Sequence, residues 1–513
     1  MFLQFVRFES GVKTVSPAKL SALSFSLIIV ANLAITSANA AAKIKDRSSP
    51  ANTCDEMAAS PFDDLRPEGI KGVQLNDVVY HLALGPCEAA VKAEPDNMRL
   101  VAQLARVLDR YNTEENNKRE LELNLKAAEA GYTLAMMNLG VQYNLGIGTA
   151  INKDEAFKWF MAAASPPHTH RKALHDVGTM YAEGTGAPLD NVKAGTYFCR
   201  SAEAGFVQAY RRCGDVHANG YGVLVDKPKA FLWYQRGALG EDAAAQAELA
   251  GSYYYGTVSE VSNDLAFFWA TRSAAGNNAK GRRLLGDLYD QGNGVAIDRI
   301  HAQGLYLLAA EAGDAEAMSR LADSYYTGAV IPKNYDLSLH WAKLATDKGS
   351  ESGMVNLGLL YDFGYGIEKD DVKAAELYRK AAEMGDMTGM NNYGEMLFAG
   401  QGTAVDVTSA MQWLQKSSDA GSSYGSHNMA MHIELEEGGL TYDAAKVARN
   451  LLLALSRDHS DTRRILLEFK GNELKATTLD MLQELMAKDG KDFVQTPGKL
   501  SASAVIALQS YLP

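Results

Sequence analysis

The 513-residue chain is poor in basic charge, in cysteine and in long apolar runs, and each shortage narrows what it does. Its 50 lysines and arginines are outnumbered by 62 aspartates and glutamates, for a formal net charge of −12. Non-specific nucleic-acid binding needs Lys and Arg to displace counterions, so the balance argues against a nucleic-acid partner. After Ile35 no stretch is apolar enough to span a bilayer. Catalytic signatures are also missing. There is no nucleophile elbow, no zinc-protease helix and no cysteine-protease signature, so no catalytic residue is nominated and no enzyme is expected. Gly-x-Gly segments recur, but no strand precedes them and no Lys-Ser/Thr follows, so they are not phosphate cradles. His168, His170 and His175 sit around one insertion without a nearby cysteine or a helical i, i+4 histidine pair. They read as a solvated loop rather than a metal site, and no cofactor or metal is expected.

What is present begins with a separate N-terminus. Arg7, Lys13 and Lys19 precede an apolar run from Leu20 to Ile35, closed by Ala38-Asn39-Ala40. Basic flank, short apolar run and small-x-small site describe a secretory signal peptide over residues 1–40. The other reading, an uncleaved anchor, needs a longer run of about 20 apolar residues. Its removal deletes three basic groups and Glu9, taking the net charge from −12 to −14. Export to the periplasm or beyond makes the even set Cys54, Cys87, Cys199 and Cys213 a candidate for disulfides. Residues 41–53 read as a flexible lead. Further on, proline and glycine leave only Asn76–Leu84 and Glu88–Ala93 regular. A Cys54–Cys87 bridge would staple residues 41–97, which have little core of their own; two unpaired thiols are the alternative.

From Met98 a helical period takes over. Met98–Tyr111 and Lys118–Ala130 form a capping helix pair over residues 98–131. Then a column of small residues falls at Gly140, Gly178, Gly214, Ala250, Gly286, Ala322, Gly358, Gly394 and Ala430, with a first interval of 38 and later ones of 36. Such a period signals stacked helix pairs, none able to bury its apolar face alone. Eight repeats occupy residues 132–426, and a degraded ninth residues 427–457. In six of them the first helix ends in Gly-x-Gly, as at Gly364 and Gly366, where glycine takes the left-handed helix-ending conformation. Val258 and Val330 replace the second glycine in two others, whose loops are expected to differ. The second helices start at Asn152, Asp190, Asp226, Ser262, Asp298, Asn334, Asp370 and Asp406, all good N-caps. Their core column is assigned to Trp159, Tyr197, Trp233, Trp269, Leu305, Trp341, Leu377 and Trp413, opposite small residues three positions earlier. The strict period favours packing over a ligand-stacking stripe. The tail, residues 458–513, predicts helices at Thr462–Phe469, Thr477–Lys488 and Ser501–Tyr511.

The repeated LGxxYxxGxG…D/NxxxA…W pattern resembles the Sel-1-like repeat family, a relative of the tetratricopeptide repeats, over residues 98–457. The resemblance implies an all-α fold, a right-handed α-solenoid of antiparallel helix pairs with the first helices lining a concave groove. It also implies a non-catalytic adaptor or regulator of the bacterial periplasm or envelope that binds a protein partner. Cysteine-rich members bridge a second helix to the next first helix at columns held here by Ala202 and Tyr210. The resemblance therefore implies a Cys199–Cys213 disulfide, each cysteine one turn from those columns. From Leu482 the tail is similar to a peptidoglycan-binding module, with Pro497-Gly498 where that family has an aspartate-glycine turn. That implies peptidoglycan contact; a helical cap on the last repeat is the alternative.

The tetratricopeptide rule for exposed first-helix positions, carried over with the resemblance, nominates a partner-binding face. Asp215, Asp287, Asp290, Asp323, Asp362 and Glu395 supply carboxylates. Tyr254, Tyr255, Tyr326, Phe363 and Phe398 supply aromatic anchors, with Arg211 and Arg283 as basic exceptions. Such a face suits a partly basic peptide or protein loop.

Overall fold

The computed structural model describes residues 49–513 except 64, 259 and 469–472, so the expected signal peptide lies outside the described residues. Two compact units divide the chain, Met1–Ala204 and Gly205–Pro513. Each is an all-α arrangement of consecutive packed helix pairs, and no strand occurs among the described residues.

The first unit opens on a segment that is more regular than its sequence suggests. Pro50–Ala58 is a helix, capped by Ser49, where a flexible lead was expected. Asn76–Leu84 and Glu88–Ala93, expected as separate pieces, belong largely to one helix, Tyr80–Ala93, that runs through Gly85 and Pro86. Proline removes one helical hydrogen bond, but tertiary packing outweighs that loss. Cys54 and Cys87 are disulfide-bonded and fully buried against Leu100, Leu104 and Val107. Asp55 is buried between Arg99 and Gln103 Nε2, the latter at 2.8 Å. Helix pairs Met98–Asp109 with Glu114–Glu129, Thr133–Leu145 with Lys153–Ala164, and Arg171–Glu183 with Asn191–Glu203 complete the unit.

In the second unit six regular pairs run from Val207–Asn219 with Lys227–Leu239 to Met387–Ala399 with Val407–Asp419. A seventh pair, Ser423–Glu434 with Ala444–Ser456, follows. The expected Thr462–Phe469 helix starts two residues earlier, as an α-helical turn at Ser460–Arg463, and continues as a π-helix over Arg464–Glu468. Ala476–Lys488 and Ala502–Gln509 stand close to their expected places. Leu479, Leu482, Met486, Leu500, Ala504 and Leu508 share one core with Met429, Ile433, Leu451 and Leu455, so the tail buries its apolar face on the last pair.

Local chemistry explains the helix ends. Gly146, Gly184, Gly220, Gly256, Gly292, Gly328, Gly364 and Gly400 all adopt the left-handed conformation at a first-helix C-terminus. Seven of the eight second-helix N-caps accept from the backbone N–H three residues on; Ser262 does not. The loops containing Val258 and Val330 differ as expected at that position, since neither valine takes the left-handed conformation that the second glycine adopts in the other six, yet they keep the same closing bond. Ser262 N–H reaches the Tyr253 carbonyl at 3.0 Å and Asn334 N–H the Tyr325 carbonyl at 2.9 Å. A second capping column went unread in the sequence: Asp242, Asn278, Asp314, Ser350, Asp386 and Ser422 cap first helices.

In six of the eight repeat pairs the small column meets a large side chain 20 positions later, one residue beyond the tryptophan column. Phe160, Phe198, Tyr234, Tyr306, Tyr378 and Leu414 are buried, whereas Trp159, Trp269, Trp341 and Trp413 are only partly so. A Cβ at Gly140, Gly214, Gly286 or Gly358 would stand 2.4–2.6 Å from the ring opposite. Where the small residue is alanine, as at Ala250 and Ala322, the opposing residue is Ala270 or Ala342. A large side chain is thus seated only opposite glycine, and alanine faces alanine. Gly286→Ala is expected to cost about 1–3 kcal/mol by overpacking, and Tyr306→Ala about 3–5 kcal/mol by leaving a cavity. Their double mutant should lose clearly less than the sum in urea unfolding, because it recreates the Ala250/Ala270 pairing. Strict additivity would contradict this account.

Candidate functional site

The nominated face belongs to consecutive first helices of the second unit. Ala243–Tyr255 packs on Ala279–Gln291, and Ala315–Thr327 on Glu351–Phe363. Its residues fall into three groups with different fates.

The first group is absorbed by the fold. Asp287 is 2 % exposed. It accepts from the Tyr306 hydroxyl at 2.9 Å, with Arg283 and Arg320 each 3.3 Å away. Arg283 also reaches Asp314 at 3.1 Å. Burial pushes the Asp287 carboxyl above its ordinary range, against the pull of Arg320 and Arg283. This is a structural ion network, so the nomination of Asp287 as a partner contact is corrected. Asp215 is half-buried in the equivalent arrangement, with Arg211 at 2.7 Å and the Tyr234 hydroxyl at 3.0 Å. In both pairs the tyrosine stands 19 residues after the aspartate, a spacing the sequence displays.

A second group gathers around a recess of about 310 Å3, lined by Asp287, Asp290, Arg299, Tyr306, Arg320 and Asp323 among others. Asp290 lies 3.7 Å from Arg299, while Asp323 is exposed. Tyr254 donates to Gln291 at 2.9 Å and stands edge-on to Tyr255, which is exposed.

Stacked rings make the third group. Phe363 is 53 % exposed and stacks on Tyr365 at 5.6 Å, which stacks on Tyr335 at 4.5 Å; Tyr326 lies 6.0 Å from both tyrosines. Sequence reasoning found Tyr326 and Phe363 but missed Tyr335 and Tyr365. The missed signal was the middle position of a Gly-x-Gly loop and the residue after an N-cap. Asp362 beside them is half-buried and accepts from Gln401 at 2.8 Å. Farther along, the His432 ring nitrogens face the Glu395 carboxylate at 3.1 Å and the Glu437 carboxylate at 2.6 Å, donating to both when protonated, and the ring stacks on Phe398 at 3.7 Å.

The three histidines of the insertion are not brought to one point. His168 pairs with Thr133 Oγ1 at 2.7 Å, His170 caps a helix, and His175 lies 3.5 Å from Asp176. The donor atoms of His427, His459 and Asp461 do come within 4.8 Å of one another. However, His427 Nδ1 is already engaged with Thr462 at 2.8 Å. Burial and His459 push His427 down to about 4. Among the described residues no cysteine is free, and Cys199 and Cys213 are both disulfide-bonded. No helix of the described residues is long and apolar enough to cross a membrane.

Two measurements follow. Tyr306→Phe leaves a buried carboxylate one donor short and should cost about 1–3 kcal/mol. Tyr378→Phe should cost clearly less, because Leu359 stands where the aspartate would be and the buried Tyr378 hydroxyl makes no close hydrogen bond, with Asp362 and Asn392 only as looser neighbours. Equal losses in urea unfolding would contradict the pairing. For His432, burial disfavours the charge, but Glu395 and Glu437 outweigh it and hold the imidazole above its ordinary value. Its stabilisation is then complete below about pH 6.5 and lost as pH rises through the folded value. The melting-temperature loss on His432→Gln should be largest at about pH 5.5 and fade by about pH 8.5; a loss that grows with pH would overturn it.

A model of the Sel1 repeat family matches residues 133–165, 171–206, 207–242, 243–278, 279–314, 315–350, 352–386 and 388–422. Among solved structures the chain is similar to a protective antigen present in uropathogenic Escherichia coli strains and displaying an SLR fold. The two are 24% identical over 83% of this chain and 92% of that one, with a TM-score of 0.56. It is also similar to a Sel1 repeat protein from Oxalobacter formigenes, at 26% identity over 48% of this chain and 96% of that one, TM-score 0.42. No curated protein matches it. The eight matched segments make up more than half of the sequence, and the chain belongs to the Sel1 repeat family.

Proposed function

We propose that the protein is a non-catalytic scaffold of the bacterial periplasm or envelope that holds a protein partner on the first helices of residues 205–513. The observation that carries this reading is the stack of Phe363, Tyr365 and Tyr335, partly exposed and fixed by ring-on-ring contact. Rigid aromatic surface is what binding hot spots use, since little side-chain entropy is lost when it is covered. Asp323, exposed, and Asp290 add carboxylates nearby on the same face, favouring a partner segment with basic residues. The disulfides are compatible with an exported protein. For the tail we favour the role of cap over peptidoglycan contact, because its apolar face is used in the core it shares with the last helix pair.

Photo-crosslinking in intact cells tests the reading. A photoreactive phenylalanine analogue at position 363 should yield a discrete protein adduct, and one at Ile300, 74 % exposed on a second helix, should not. Phe363→Ala combined with Asp323→Asn, which removes the exposed charge without setting a cation beside Arg320, should lower partner capture by roughly tenfold with little change in melting temperature. Equal adducts from both positions, or capture untouched by the double variant, would reject this face.

A further inference from the structure

The first unit holds a cavity that the repeat pattern does not explain. It measures about 410 Å3 and lies where the N-terminal segment meets helices Met98–Asp109, Glu114–Glu129 and Thr133–Leu145. That volume falls within the range of small-molecule sites. Phe62, Leu75, Leu134, Met137, Val141 and Ile147 give it apolar walls. Its polar side is small and incompletely satisfied. Glu120, 5 % exposed, lines it with Oε2 lacking a hydrogen-bond partner. Behind it Asn124 Nδ2 is 3.4 Å from Glu120 Oε1 and 3.1 Å from Gln142 Oε1, and Asn124 Oδ1 is left over.

Charge accounts for the kind of ligand. Arg106 is committed to the backbone, donating to Ala58 O at 2.8 Å and to Val73 O. Asp109 faces the same space from the same helix, and Lys172 at the rim is paired with Asp176 at 2.7 Å. The N-terminal segment and Thr133–Leu145 contribute no charged lining. Arg106 and Asp109 offset one another, so Glu120 is the surplus acid, and of the three unmet atoms in this group Glu120 Oε2 and Asn124 Oδ1 are acceptors and Gln142 Nε2 is a donor. A buried acceptor left unmet is costly, and a donor-rich cation relieves both faults at once.

We infer that this cavity is a binding site for a primary ammonium group carried on an aliphatic stem, with the stem against the apolar walls and the ammonium on Glu120. The shared chemistry has two sources, a free alkylamine or a lysine side chain on a peptide. The site stands apart from the proposed partner-binding face and does not depend on it. Burial and the nearby Asp109 push Glu120 up to about 8, while Asn124 and Gln142 pull it down. A cation binds the ionised form, so affinity should rise with pH until Glu120 is fully ionised, while an alkylammonium stays charged to about pH 10.

Calorimetric titration of the full mature chain with n-hexylamine, n-hexanol and a capped alanine–lysine–alanine tripeptide tests this. Hexylamine should bind at least roughly tenfold more tightly at about pH 9 than at about pH 6.5, and more tightly than hexanol at the higher pH. Glu120→Gln, which keeps the shape and removes the charge, should abolish both differences without lowering the melting temperature. Should that variant fail to fold, the pH slope and the hexanol comparison on the unaltered protein still decide. Tighter binding of the tripeptide than of hexylamine supports the site with a peptide lysine as its occupant; the reverse supports it with a free amine. Equal binding of hexylamine and hexanol, a pH dependence that survives Glu120→Gln, or no binding of either cation would overturn the proposal.

Discussion

Everything in the repeats depends on how closely two helices approach inside a pair. With glycine on the first helix, the ring or leucine of the second lies directly on backbone, at distances a single methyl group would violate. With alanine there, the second helix contributes alanine as well. Dense packing tolerates either split, but not a mismatch. Because the pair is closed by the same N–H to carbonyl bond nine residues back in all eight repeats, the loops inherit their form from this contact. That is why replacing the second loop glycine by Val258 or Val330 leaves the closure intact.

Most of the solenoid was legible because a 36-residue period repeats each constraint several times. Glycine C-caps, aspartate and asparagine N-caps and the small column all stand where the pattern puts them. The core column was read one residue too early, at the tryptophans. Tryptophan is large and conspicuous, but Trp159, Trp269, Trp341 and Trp413 stay partly exposed, the last under Lys416, and only Trp233 and Leu305 of that column are buried. The less conspicuous phenylalanine, tyrosine or alanine after it fills the interior. Outside the period, local signals misled. Pro86 and Gly85 announce a break, and the helix Tyr80–Ala93 continues through them because a disulfide and a buried apolar face hold it.

The candidate face was legible only in part, for a reason of geometry. A rule for exposed first-helix positions sees one helix at a time. It cannot tell Asp323, which faces solvent, from Asp287, which lies under a tyrosine of the second helix. The difference is carried by residue 19 positions later: Tyr306 after Asp287, Ala342 after Asp323. The pairing across two helices separates the structural carboxylates from those left facing solvent.

That distinction bears on how such a scaffold acquires specificity. The position after the small column holds Val141, Thr179, Asp215, Gly251, Asp287, Asp323, Leu359 and Glu395, more varied than any structural column. Where a tyrosine of the paired helix donates to it, as at Asp215 and Asp287, variation is constrained, since a lone buried carboxylate or hydroxyl is costly. Where the paired helix offers alanine or leucine, as opposite Asp323 and Glu395, the position answers only to solvent and neighbours. The same alanine pairing that removes the ring from the second helix therefore frees the adjacent first-helix residue. Packing inside a pair thus decides which first-helix positions stay exposed and free to vary, and which only look so.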